Sequence, residues 1–115
     1  MSATVFGYVR LEDDDEVEED RFHDLLVAHA VAEGLALADV YVDRHMPAAR
    51  IMRPGLTELL AQLQRADGRA VLVADLDHLS TSQPVRQAIE MEISKACGRV
   101  LAVEAVDVGS VSSPT

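Results

Sequence analysis

Ala70-Val71-Leu72-Val73-Ala74-Asp75-Leu76-Asp77-His78-Leu79-Ser80-Thr81 is the stretch whose reading decides the fold. Its first five residues are apolar without interruption, and the turn signal Asp67-Gly68 precedes them. A run that short, apolar on both faces, predicts a strand of a parallel sheet covered on both sides. Asp75 and Asp77 follow at its carboxyl end. In open α/β sheets ligands and chemistry gather at the carboxyl ends of strands. Core and candidate site are therefore both expected here.

Upstream, Pro54 opens a predicted helix whose apolar face is Leu56, Leu59, Leu60 and Leu63; proline is well placed in a first helical turn. The segment Asp43 to Arg53 before it holds a proline, three arginines and a histidine between regular elements, the kind of loop on which function collects. Val40-Tyr41-Val42 reads as a short strand. Thr4 to Arg10 reads as the first strand, with Gly7 marking a close approach of backbone or a tight spot under a helix.

Between these strands, Glu12 to Glu16 and Glu18 to Asp20 read as a solvated acidic loop running into a helix N-terminus, where negative charge is favoured. That helix runs to about Glu33, with Phe22, Leu25, Leu26, His29 and Ala30 on one face and Gly34 as its stop. His29 there is expected to pack or cap.

Downstream, Ser82 is placed to cap a helix that starts near Pro84 and carries Val85, Ala88, Ile89, Glu92, Ile93 and Ala96. Gly98 ends it and Val100 to Val103 is a fourth strand. From Val106 a weak edge strand gives way to a Ser-rich tail. Alternating strands and helices build a parallel sheet with helices on both faces through right-handed crossovers. The expected fold class is thus α/β, a three-layer sandwich on a mostly parallel sheet of four to five strands. Residues 1–105 form the domain and 106–115 a flexible tail.

With 115 residues there is room for one domain. The hydrophobic fraction of 49% allows a globular core, and an aromatic fraction of 3% makes that core aliphatic. Twenty acids against 10 bases give a net charge of −10, which opposes non-specific binding to nucleic acid or anionic lipid. Cys97 stands alone, so neither an intrachain disulfide nor a thiolate metal framework is available. No basic-then-apolar leader and no membrane-length apolar run is present, so the expectation is a cytoplasmic protein without a membrane partner.

Three segments together resemble the catalytic domain of the serine recombinases, the resolvase–invertase family. Gly7-Tyr8-Val9-Arg10 is similar to the family's first-strand motif, Arg53-Pro54-Gly55-Leu56 to its helix start, and Leu76-Asp77-His78-Leu79 to its Leu-Asp-Arg-Leu. Their order and spacing agree from about Val5 to Val103. The resemblance implies a resolvase-like, flavodoxin-like arrangement. In that family a serine attacks a DNA phosphodiester while arginines stabilise the transferring phosphate, as phosphoryl chemistry requires.

Carried over residue by residue, Arg10, Arg53 and Asp77 match the family pattern. Glu12 stands where the resemblance places the serine, His78 replaces the arginine after the aspartate, and Thr81 replaces the arginine three residues on. A glutamate repels phosphate, and a missing guanidinium removes bidentate stabilisation. The chain also ends where the family continues into a dimerisation helix and a DNA-binding domain. The expectation is a fold without the enzyme: no catalytic residues, no cofactor, no metal, and a protein-interaction or regulatory role with a protein partner or a second copy. Arg10, Arg53 and Asp77 are then expected to form an arginine–aspartate pair bridging strand ends.

Two other readings follow from the residues. Asp13, Asp14, Asp75 and Asp77 converging at strand ends would hold Mg²⁺ for phosphoryl transfer. A receiver-like variant of that reading fits poorly in spacing, and the only lysine, Lys95, falls inside a helix. Arg10, Arg44, Arg50 and Arg53 lining a phosphate pocket would keep some DNA binding. His45 and His78 offer two metal ligands without a spacing motif.

Overall fold

The computed structural model describes residues 3–96 and 98–103. In chain order the elements are β1 (Thr4–Arg10), α1 (Glu16–Ala32), β2 (Ala36–Asp43), α2 (Pro54–Leu63), β3 (Ala70–Val73), a single 3₁₀ turn (Leu76–His78), α3 (Gln83–Lys95) and β4 (Arg99–Ala102). All strand pairs are parallel and the sheet order is β2-β1-β3-β4. The protein is therefore the three-layer α/β sandwich its sequence predicts, in the flavodoxin-like order.

Strand alternation decides which helix each side chain meets. Val5 and Val9 of β1 and Ala70 and Leu72 of β3 pack with Leu26 and Ala30 of α1. Phe6, Tyr8, Val71 and Val73 point to the other face, against Leu56, Leu59 and Leu63 of α2 and Ile89 and Ile93 of α3. Every residue of β3 is buried, as the uninterrupted apolar run requires. Gly7 keeps α1 close: a Cβ there would lie 2.9 Å from Leu26 Cδ1 and 3.0 Å from Val40 Cγ2.

Some element boundaries differ from the sequence reading. β2 spans eight residues rather than three, because an edge strand leaves Ala36 and Asp39 exposed and so hides its apolar pattern. Half of the acidic run is helical, since α1 starts at Glu16 and the Asp15 carboxylate accepts from the Val17 and Glu18 N–H groups. Ser82 occupies the cap position of α3 without a side-chain cap bond. Among the described residues the sheet has four strands; the proposed edge strand from Val106 and the tail 106–115 lie outside them. No helix among the described residues is long and apolar enough to cross a membrane.

Candidate functional site at the carboxyl ends of the central strands

Strand order reverses between β1 and β3, because one crossover from β1 runs to β2 and the next returns past β1 to β3. Such a switch point leaves a crevice at the carboxyl ends of the diverging strands. Arg10 and Glu12 come to it from the end of β1, and Asp75, Asp77 and His78 from the end of β3. Asp75 shapes the second group: its carboxylate accepts from the Asp77 N–H at 2.9 Å and so closes the 3₁₀ turn.

His78 is the buried joint between the two strand ends. Its Nδ1 accepts the main-chain N–H of Arg10 at 3.1 Å, which puts the ring proton on Nε2. The ring meets Phe22 of α1 edge-on, centroids 4.4 Å apart. Burial lowers its pKa from the ordinary value; Asp75 and Asp77 oppose that shift, whereas Arg10 and Arg21 reinforce it.

The Arg10 guanidinium is committed through its two Nη atoms, while its buried Nε has no hydrogen-bond partner among the described residues. One Nη donates to the Asp77 carbonyl at 2.9 Å, and the other to the Met46 carbonyl at 3.1 Å and the Glu12 carboxylate at 3.2 Å. The expected arginine–aspartate pair is thus corrected: Arg10 takes the main chain of Asp77, whose side chain stays exposed. Above these groups opens a cavity of about 370 Å³ rimmed by Glu12, Asp13, Glu18, Asp75 and Asp77.

A second polar cluster lies beneath α2. Asp43, the last residue of β2, is buried and accepts from Tyr8 Oη at 2.8 Å and from the N–H groups of Gly55 and Leu56 at 2.7 and 3.0 Å. It caps α2 from a distance, because Arg53 at the cap position offers no acceptor. Gly55 makes room, since a Cβ there would sit 3.0 Å from both carboxylate oxygens. Arg53, only 1% exposed, donates to the carbonyls of Arg50 at 2.7 Å, Ala48 at 3.2 Å and His78 at 3.4 Å, and to Tyr8 Oη at 3.4 Å. Burial, followed by the hydrogen bond to Asp43, pushes the Tyr8 pKa up. Buried Ser80 ties the same loop by donating to the Ala48 carbonyl at 2.7 Å.

The family model described as "Resolvase, N terminal domain" matches residues 5–107. The chain belongs to the resolvase N-terminal domain family. Among solved structures it is similar to the N-terminal catalytic domain of TP901-1 integrase, at 25% identity and a TM-score of 0.75 over 95% of this chain and 88% of that one. It is also similar to the C-terminal catalytic domain of ISC1926 TnpA, an IS607-like serine recombinase, at 20% identity and a TM-score of 0.72 over 95% and 78%. The first open reading frame of transposon ISC1904 from Sulfolobus solfataricus P2 gives 14% identity and a TM-score of 0.66 over 95% and 80%. No curated protein sequence matches the chain.

In this resolvase domain the residues singled out by sequence separate into three places. Arg10, Glu12, Asp77 and His78 meet at the cavity. Arg53 lies under α2, and Thr81 is exposed beyond the 3₁₀ turn. The four arginines of the DNA-binding reading do not form one patch. Arg10 and Arg53 are buried on carbonyls, and Arg44 is clamped by Glu19 through bonds of 2.8 and 2.7 Å; Arg50 is exposed. The four aspartates of the Mg²⁺ reading do not converge as ligands either. Asp14 turns to His45 at 3.6 Å, and among the described residues no group of three or more His, Cys, Asp or Glu could hold a metal ion. The two histidines are likewise committed to different partners.

Sequence reasoning missed Asp43, Tyr8 and Ser80 as a connected set. One signal was available: a helix beginning Arg53-Pro54-Gly55 carries no capping side chain of its own, so an acceptor had to come from elsewhere.

Proposed function

We propose that this resolvase domain is catalytically silent and acts by binding protein, either a partner or a second copy of itself. The observation that carries the reading is Glu12. It stands where the resemblance places the nucleophilic serine, and it pairs with Arg10 at 3.2 Å on a rim of carboxylates. Phosphoryl transfer depends on cations set around the equatorial oxygens before the reaction begins. Here Arg10 is held by two carbonyls and Glu12, Arg53 is buried, and His78 is biased toward the neutral form. Thr81 adds no charge. An incoming phosphodiester would meet like charge without compensation.

Affinity purification of the tagged protein from its own cells, with sedimentation velocity on the pure chain, tests the proposal. The expected result is a stoichiometric protein partner or a concentration-dependent oligomer. A chain that stays monomeric at every concentration and retains no protein would overturn it.

A further inference from the structure

We propose that His78 is an acid-responsive switch: on taking up a proton, its imidazole lets go of the end of β1 and turns from Phe22 out into the cavity, while the 3₁₀ turn that carries it stays in place. The link that breaks runs from the Arg10 N–H to Nδ1 and is 3.1 Å long. Only a neutral ring offers an acceptor nitrogen; in the protonated ring both nitrogens are donors. Proton uptake therefore sets an Nδ1–H against the Arg10 N–H, in a joint where His78 is only 6% exposed. A buried charge facing a donor is costly, so a protonated ring has to leave.

The surroundings direct that departure toward the cavity. Burial opposes a cation at the inner position, as do Arg10 of β1 and Arg21 of α1, whereas Asp75 and Asp77 of the turn favour one. Arg10, Asp75 and Asp77 line the cavity beside His78, with Glu12 and Asp13 from the loop after β1 and Glu18 from α1. A ring turned outward meets water and a rim of carboxylates. It gives up one hydrogen bond and the edge-on contact with Phe22. The cavity of about 370 Å³ has room for it.

The turn itself does not depend on the imidazole. Arg10 donates to the Asp77 carbonyl at 2.9 Å, Arg53 to the His78 carbonyl at 3.4 Å, and the Asp75 carboxylate accepts the Asp77 N–H. The motion is then a side-chain rotation on a fixed backbone. No other histidine is buried among the described residues, so the response belongs to one group. Its consequence lies at the surface: in acid the cavity is occupied by a cation, and the negative charge at the strand ends is reduced.

NMR titration of the isotope-labelled chain from about pH 8 to about pH 5 tests the switch. The His78 imidazole is expected to titrate below the ordinary histidine value. With the same midpoint, contacts between the His78 and Phe22 rings should vanish. Protection of the Arg10 amide against hydrogen exchange should fall about tenfold, the effect of one lost hydrogen bond. The amides of β3 should keep their protection. His78→Asn, whose side-chain oxygen takes the Arg10 N–H without titrating, should hold that amide protected throughout. Ring contacts that survive protonation, or an Arg10 step in His78→Asn like that of the wild type, would overturn the proposal. So would loss of β3 protection in the same step, since that is unfolding of the domain and not a switch. Should the variant fail to fold, the wild-type ring contacts and Arg10 amide decide alone.

Discussion

The cluster beneath α2 and the cavity above β1 and β3 share His78 and lie within one small domain, yet they are built on opposite terms. Under α2 every charged group is enclosed and answered: Asp43 by three donors, Arg53 by main-chain carbonyls and Tyr8 Oη. Around the cavity the carboxylates outnumber the one guanidinium, and several oxygens face solvent. A buried charge is costly unless fully paired, so the first arrangement is fixed by the fold. An exposed carboxylate costs little, so the second is free to change without loss of the domain. Among the positions singled out by the resemblance, Glu12, Asp77 and Thr81 are exposed, whereas Arg10, Arg53 and His78 are buried and bonded to main chain.

The strongest way to break this contrast is to remove one partner beneath α2. Asp43→Ala leaves the Gly55 and Leu56 N–H groups and Tyr8 Oη without their acceptor, and should destabilise the domain by about 3 kcal/mol in urea unfolding. Arg53→Met should cost a comparable ~3 kcal/mol, because four acceptors lose their donor. A loss under ~0.5 kcal/mol in either variant would show that the network is ornamental.

Gly55→Ala sharpens the same point. The added methyl presses on the Asp43 carboxylate in a region with no slack, so about 1–2 kcal/mol should be lost in unfolding. A neutral outcome would mean that Asp43 caps α2 with room to spare.

His78 joins the two regions, and its titration should be visible in the pH dependence of stability. Its folded pKa lies below its unfolded value near 6.5, so the unfolded chain takes the proton first. The stabilisation from the neutral ring is complete above the unfolded value and is lost as pH falls from there toward the folded value. Stability against heat should therefore fall on acidification from pH 7, before the bulk of the carboxylates titrate. His78→Asn should remove that slope. A slope unchanged in the variant would assign it elsewhere.

The smallest effect is expected at the rim. Glu12→Ser should change stability by less than ~0.5 kcal/mol, since an exposed pair with Arg10 is all that is lost. On the proposed reading it should also show no DNA cleavage, because a hydroxyl alone brings no cations around the phosphate.

Much of the fold was legible in the sequence, because the strands declare themselves where they are most buried. Ala70 to Val73 reads as a central parallel strand from four letters, and Pro54 with its leucines reads as α2. β2 was only partly legible, since an edge strand with an exposed flank carries a diluted pattern. At the site, the position of Glu12, Asp77 and His78 at strand ends followed from topology. Which groups bond to which did not: Asp43 and Gly55 are 12 residues apart and meet only through the crossover. Nor could the sequence show that Arg10 reaches the carbonyl of Asp77 rather than its carboxylate.

This resolvase domain keeps the fold, and the proposal that it lacks the phosphoryl-transfer site is open to direct test. The most direct test is to incubate the wild-type chain at low salt with fragmented DNA from its own cells, denature the mixture, and look for protein covalently retained on DNA. The account predicts none, with free chain recovered in full. A covalent protein–DNA adduct would contradict it and show that the domain still carries a nucleophile able to attack phosphate.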